Sequence, residues 1–406
     1  MKNNKILNVG FITDQGFPSG TATTNRNISL AIGLIELKQK ITIFCIRPTE
    51  KKQNQINKEI SGVFKDINYV YTPGTVFWPD NKLLKLLVTI KGIIGFYFHF
   101  NKINRVSKFD FIICTTSNYF INYLFVKLFK KNGVKAVTVG DEYPHVYRNR
   151  SSYPEWFVKF YLKNHFKMFD GMIIMTNHLF SYYEKLISKG SPLIHIPMTV
   201  EPERFQTNVE ESPIKEDYIA YCGNIGQNEK DGVTILIEAF GLIKQNYEKL
   251  KLVIIGGTNP SIQELKFNEL KLLTRKYNVE NDVIFTGKIH RDEMPKYLCH
   301  AKILALARPD NIQGQGGFPT KLGEYLATGR PVVITPVGEL KEYLTDGFNA
   351  YLAEPGSAIS FAQKMKTVLD NPGKADQVGK EGQKLANTVF NYKDQSEKLY
   401  NYFLHF

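Results

Sequence analysis

The sequence predicts an α/β protein of two doubly wound domains in series, and three observations carry that prediction. Short, continuous apolar runs recur along the chain, the form taken by parallel strands buried on both faces. Longer stretches of helical periodicity separate them. The alternation runs once, is interrupted by the polar, proline-bearing "VEPERFQTNVEESPIKED" (Val200–Asp217), and then runs a second time.

In order, "ILNVGFIT" reads as the first strand, "SLAIGLIELKQK" as a helix and "ITIFCI" as a strand. "FDFIICTT", "VKAVTVGD", "DGMIIMT" and "LIHIPM" follow as strands, each set off by a helical stretch. The second half repeats the pattern with strands "YIAYCG", "KLVIIGG", "VIFTG", "ILALA" and "PVVIT". Its helices are "GVTILIEAFGLIKQN", "SIQELKFNELKLLTRKY", "DEMPKYLCHA" and "TKLGEYLAT". The expected division is a first domain at 1–200, a linker at 201–217 and a second domain at 218–385. The helix pattern within 386–406, "DQSEKLYNYFLHF", is expected to pack back on the first domain.

At 406 residues, 43% hydrophobic and 22% charged, the chain reads as globular. Cys45, Cys114, Cys222 and Cys299 show neither metal-ligand spacing nor a disulfide framework, which fits a reducing cytoplasm. The opening "MKNNKILNVGFITDQG" lacks the form of a secretory signal. The formal charge of +13 favours an anionic partner, although a lysine-rich solvated surface accounts for the same excess. "LLKLLVTIKGIIGFYFHF" (Leu83–Phe100) approaches membrane-spanning length, but Lys85, Lys91, Gly92 and Gly95 interrupt it. It reads as a buried or surface-docking helix.

In doubly wound sheets, ligands bind beyond the carboxyl ends of the strands. The loops there are the ones to read, and the two domains are expected to face each other across a cleft. "DQGFPSGTATTN" supplies Gly16, Gly20 and hydroxyls at a helix start, an anion or sugar cradle, or else a capped turn. "GDEYPHVYR" places the titratable Asp141, Glu142 and His145 after a strand, where a substrate would sit, or else each serves singly as a helix cap or core hydrogen-bonder. "YCGNIGQNEKDG" puts Gly223 and Gly226 at a strand end and Lys230 before a helix, a site suited to diphosphate. "ALARPDNIQGQGGFPTKLGEYLATG" carries Arg308, a loop with Gly316 and Gly317, then Lys321 and Glu324 on a helix. A cation in a helix's first turn opposes the macrodipole, which points to an anion site there. The Gly-x-Gly-x-x-Gly dinucleotide fingerprint and the P-loop are both absent, and no Asp-x-Asp occurs. No metal site or cofactor is therefore expected.

"YCGNIGQNEKDGVTILIEAF", "LVIIGG", "VIFTGKIHRDEMPKYLCHA" and "FPTKLGEYLATGRPVVITPVGELKEYLTDGFNAYL" resemble the group-one (family 4) glycosyltransferases. "GFPSGTATTNRNISLAIGL" resembles their opening loop and helix. The resemblance implies a GT-B fold of two Rossmann-like domains, the first for the acceptor and the second for a nucleotide-sugar donor. It implies sugar transfer with retention (EC 2.4), independent of metal. Glu324 matches the family's second glutamate, which meets the donor ribose, and Lys230 matches its diphosphate lysine. Two positions depart: Gly316 stands where the first glutamate falls, and Asn224 where an arginine is usual. Lys230, with Arg308 or Lys321, would then carry diphosphate binding, and Gly20 and Gly317 belong to the donor-binding set. Asp141, Glu142 and His145 are the catalytic candidates, loosely matching a His-Glu-type motif. The acceptor implied is a glycan or lipid-linked sugar in cell-surface polysaccharide assembly. The enzyme would be cytoplasmic, at the inner face of an anionic membrane, with no nucleic-acid partner. A sugar-nucleotide epimerase of the same fold and a non-catalytic, degenerate transferase subunit are the alternatives.

Overall fold

The computed structural model describes residues 5–51, 55–206, 209, 211–226, 228–258 and 260–406. The chain forms two compact units, one of Met1–Thr199 with Tyr392–Phe406, the other of Val200–Asn391.

The first unit is built on strands β1 (Asn8–Thr13), β2 (Lys40–Cys45), β3 (Ser61–Phe64), β4 (Ile67–Tyr71), β5 (Phe111–Cys114), β6 (Lys135–Gly140), β7 (Gly171–Ile174) and β8 (Leu193–His195). They form one sheet in the order β3-β4-β2-β1-β5-β6-β7-β8. All neighbours run parallel except β3 against β4. Its helices are α1 (Ala22–Glu36), α2 (Lys82–Val106), α3 (Tyr119–Lys131), α4 (His145–Arg148), α5 (Glu155–Asn164) and α6 (Asn177–Tyr183). Alternate strand residues feed two cores. Val9, Phe11, Ile43 and Ile113 pack with Ile28 and Leu34 of α1, while Ile12, Phe44 and Ile112 pack with Phe96 of α2 and Phe129 of α3. The β3–β4 hairpin is absent from the sequence-based reading. Its turn sets Lys65 at φ 49° and Asp66 at φ 64°, a left-handed pair without the usual Asn-Gly signal.

The second unit contains β9 (Tyr218–Cys222), β10 (Lys251–Ile255), β11 (Val283–Gly287), β12 (Ile303–Leu306), β13 (Val332–Ile334) and β14 (Tyr351–Leu352). The order is β11-β10-β9-β12-β13-β14, and every pair is parallel. The helices are α7 (Asn228–Asp231), α8 (Val233–Lys244), α9 (Pro260–Lys276), α10 (Met294–Leu298), α11 (Ile312–Gly316), α12 (Lys321–Ala327), α13 (Leu340–Tyr343), α14 (Ala358–Asp370) and α15 (Pro372–Asn387). The last helix, α16 (Tyr392–Leu404), belongs to the first unit, where Leu399 and Phe403 enter the α1 core.

The division differs from the one read off the sequence at both ends of the second unit, which takes in the expected linker and also residues 386–391, so that only Tyr392–Phe406 joins the first unit. Residues expected to begin a linker at 201 form a short 3-10 helix, Pro202–Phe205, within the second unit. Pro202 and Phe205 are buried there. Composition read as polar linker hid these two apolar anchors.

In each sheet one central strand has connections leaving in opposite directions. It is β1, between β2 and β5, in the first unit and β9, between β10 and β12, in the second. Such a topological switch point leaves a crevice at the strands' carboxyl ends.

Candidate active site

In the second unit, the residues after β9 and β12 meet at the switch point. Gly232, at φ 63°, caps the start of α8, and a Cβ there would collide with the carbonyl oxygen of Ala307, just past β12. Glycine at 232 thus lets the β9 and β12 loops close on each other. Gly223 leaves β9 against the Lys321 ammonium and the Tyr221 hydroxyl, with no room for a side chain. The Asn224 side chain accepts from the Gly226 N–H at 2.9 Å, folding that loop on itself. Lys230 lies half-buried on α7.

Lys321 and Glu324, one turn apart on α12, each meet an ionic partner distant in sequence. Lys321 Nζ is 2.5 Å from Asp231 and 4.8 Å from the Tyr221 ring centre. The Tyr221 hydroxyl donates to the same Asp231 carboxylate at 2.7 Å. Burial pushes the Asp231 carboxyl up, but Lys321 and Tyr221 outweigh it and hold it below the usual carboxylate range. Glu324 accepts from Arg204 at 3.2 Å. Arg204 also donates to the Arg291 carbonyl at 2.7 Å, and the Arg291 guanidinium pairs with the buried Glu201.

Arg308 is buried, and its guanidinium faces the carbonyls of Gln313 (3.3 Å) and Gly317 (3.3 Å). Asn311 caps α11, accepting from the N–H groups of Gln313 and Gly314. Arg308 and Asn311 thus grip the loop holding Gly316 and Gly317 from within. Gly316 is buried at the end of α11, and Gly317 stands half-buried after it. No carboxylate occupies this loop beyond Asp310, which accepts from Gln315 at 3.1 Å.

In the first unit, Gly20 ends the loop after β1. A Cβ there would collide with the Thr24 hydroxyl, which donates to the Gly16 carbonyl at 2.8 Å. Asp141, Glu142 and His145 follow β6. Asp141 lies 3.4 Å from Arg26 Nε, but the other Arg26 nitrogens donate to the carbonyls of Pro197 (2.5 Å) and Ile196 (2.7 Å). Asp141 Oδ1 is buried without a hydrogen bond. Burial raises its pKa, opposed by Arg26 and reinforced by Glu142. Glu142 pairs with Arg148 at 2.8 Å. His145 stands edge-on to Tyr153 and Tyr161, its Nδ1 buried and unbonded. Burial, then Arg148, lowers its pKa, so the ring is neutral at physiological pH.

Sequence reading picked out Lys321 and Glu324 but missed Asp231, Arg204, Arg291, Glu201, Tyr221 and Arg26. "NEKDG" offered a hint of Asp231, since an acid beside the phosphate-type lysine invites a pairing. For Arg204 no local signal existed.

Two Rossmann-like parallel sheets, each with its ligand loops at a switch point, define the class of protein. Residues 203–385 match the family Glycosyl transferases group 1. An uncharacterized glycosyltransferase of Methanocaldococcus jannaschii is 25% identical over 302 residues, spanning 70% of this chain and 73% of the relative. In fold, the chain is similar to a sucrose-phosphate synthase from Thermosynechococcus elongatus, with a TM-score of 0.75 at 16% identity over 98% of both chains. It is also similar to Anabaena HepE solved with UDP-glucose, with a TM-score of 0.70 at 14% identity over 98% of this chain and 100% of that one. Residues 203–385 thus carry the group 1 glycosyltransferase match, and this match together with the named glycosyltransferase relatives supports a glycosyltransferase enzyme (EC 2.4).

Proposed function

We propose that the second unit holds a nucleotide-diphosphate sugar and that the sugar passes, with retention, to a glycan or lipid-linked acceptor taken by the first unit. The observation that carries this reading is the meeting of Gly223, Lys321 and Glu324 at the β9/β12 switch point. Exposed backbone and a cation at that place suit a diphosphate, and a carboxylate one turn further suits ribose hydroxyls. The UDP-glucose in HepE supports a donor of this kind.

In the proposed reaction the bond from the anomeric carbon to the diphosphate oxygen breaks, and the acceptor oxygen bonds that carbon on the same face. The departing phosphate oxygen takes the acceptor proton, so no protein nucleophile is needed. Leaving-group charge is met by Lys230 and the loop N–H groups, with Lys321 joining when it exchanges Asp231 for phosphate. Asp141, Glu142 and His145 orient the acceptor. Transfer needs no metal, a reading supported by the lack of any Asp-x-Asp. The setting is cell-surface polysaccharide assembly on the cytoplasmic side, at the inner face of the membrane.

A thermal-shift screen of nucleotide sugars tests the donor. At about a hundred times its dissociation constant, the correct donor stabilises by roughly 2.7 kcal/mol. Glu324→Ala is expected to stay folded, with a melting temperature lowered by the loss of the Arg204 pair, and to lose that ligand-induced gain. If no nucleotide sugar shifts the wild type, the donor reading is wrong. Product that forms without any acceptor would favour the epimerase alternative. Turnover is expected to persist in excess chelator, and abolition with rescue by magnesium or manganese would overturn metal independence.

A further inference from the structure

The helix α2 departs from what its composition asks. It is long and apolar enough, by length and composition, to cross a membrane. A helix apolar all round normally sits in a core or in lipid, yet only Gly92, Phe96 and Phe100 of its 25 residues are buried. On the opposite face, Leu83, Leu87, Ile90, Ile94 and Phe98 form an exposed stripe at helical spacing, with Leu83 64% and Phe98 66% exposed.

The neighbouring helices expose apolar side chains as well. Phe96 of α2 packs on Phe125 of α3, ring centres 4.2 Å apart, and Tyr119 of α3 meets Phe160 of α5 at 4.8 Å. These helices expose Phe120, Leu124 and Trp156, the last at 69%. Large exposed apolar side chains gathered on three packed helices mark an interaction site. Its charge is one-sided: residues 81–134 and 155–164 together hold eleven Lys or Arg and two acids, Asp110 and Glu155.

We infer that the α2–α3–α5 face docks on an anionic phospholipid bilayer, with α2 lying in the membrane plane. Apolar side chains would enter the headgroup boundary while the surrounding lysines meet lipid phosphates. The spanning alternative conflicts with how α2 is held. Gly92 and Gly95 press mid-helix backbone against the carbonyls of Ile46 and Thr72, where a Cβ would collide, and the Thr72 hydroxyl donates to the Gly92 carbonyl at 2.7 Å. A span of about 20 residues would tear the helix from this seat. The inference deepens the lipid-linked acceptor reading and rests on it for its purpose, while vesicle binding itself requires neither donor nor acceptor.

The test is co-sedimentation of the full chain with phosphatidylcholine vesicles, with and without phosphatidylglycerol, at low and high salt. Binding is expected only to the anionic vesicles and to weaken with salt. Lys102→Glu with Arg105→Glu should weaken it about tenfold or more, and Leu87→Asp with Ile94→Asp should weaken it at least as much. All four side chains are exposed, so an unchanged circular-dichroism spectrum and melting temperature serve as the folding control. Absence of binding at low salt, or undiminished binding by both folded variants, overturns the inference. Resistance to alkaline extraction would mean a span, and a dimer that Leu87→Asp with Ile94→Asp dissociates would mean that a second copy covers the face; either overturns it. Sugar transfer to a soluble acceptor without vesicle binding defeats this surface alone, whereas vesicle binding without any transfer defeats the catalytic reading alone.

Discussion

Asp231, buried in the second unit, and Asp141, half-buried in the first, each lie beside a cation, and their pKa values move in opposite directions. Lys321 and Tyr221 both hydrogen-bond the Asp231 carboxylate. Arg26 instead gives two of its nitrogens to backbone carbonyls and meets Asp141 only at 3.4 Å. Proximity of charge is therefore insufficient; hydrogen bonds delivered to the carboxylate decide which way burial is answered. The second unit carries a charge-balanced cradle that an incoming anion must re-pair. The first unit keeps a carboxyl whose pKa burial raises, on the same post-β6 segment as His145, whose pKa burial lowers.

The largest test of this contrast removes the difference. Lys321→Ala leaves Asp231 buried without its cation, which should cost on the order of 3–5 kcal/mol of stability and push the Asp231 pKa upward. Denaturant unfolding at neutral pH reads the loss, and Lys321→Ala with Asp231→Asn should recover part of it. An unchanged midpoint would show the pair to be irrelevant to the second unit's stability.

Next comes the ligand itself. Lys230→Ala should weaken nucleoside-diphosphate binding by about 2–5 kcal/mol, read by calorimetric titration, with the melting temperature of the free protein retained. Unchanged affinity would move the diphosphate contact to another residue.

Acid sharpens the comparison from the first unit's side. Burial, aided by His145, pushes His165 down to about 3. The unfolded chain takes a proton on this ring below about 6.5, whereas the native ring stays neutral until about 3, so stability falls as pH drops through that window. At pH 5 the loss is roughly 2 kcal/mol relative to pH 7. Asp141, with its raised pKa, works in the opposite sense, its destabilising charge fading as the medium acidifies. His165→Leu should flatten the decline measured by unfolding between those two values; an identical slope would clear His165 of the effect. The smallest expected change is Asn311→Ala, about 1 kcal/mol for a lost helix cap. It should appear as a lower melting temperature together with weaker donor binding, since α11 carries the glycine loop.

The strands were legible wherever both sheet faces are covered. Runs such as those of β1, β5 and β9 are mostly apolar and buried at nearly every position, because both faces of the sheet are covered. The β3–β4 hairpin escaped because β3 is an edge strand, exposed at Ser61, Gly62 and Val63, and its turn uses lysine and aspartate. At the site, Lys321 and Glu324 were legible because one short helix holds both. Their partners were not, because Asp231 lies 90 residues away and Arg204 lies 120 residues away. No local pattern encodes a contact that only the closed fold creates. The helix at 82–106 was legible as an element, but its exposure was not, since burial depends on how Gly92 and Gly95 turn one face inward.

The place of α16 sets an order of events during synthesis. Its Ser396 side chain donates to the Leu30 carbonyl, and its Tyr392 hydroxyl pairs with Glu36, both on α1, although residues 200–391 are made in between. At ~5–20 residues per second, the ribosome spends on the order of ten to forty seconds on that intervening stretch. For that time Leu34 and its neighbours on α1 wait without the helix that will cover them, while the second unit is free to fold first. The unit begun earlier is thus finished later, and a nascent chain paused within residues 200–391 would present an open apolar groove to chaperones.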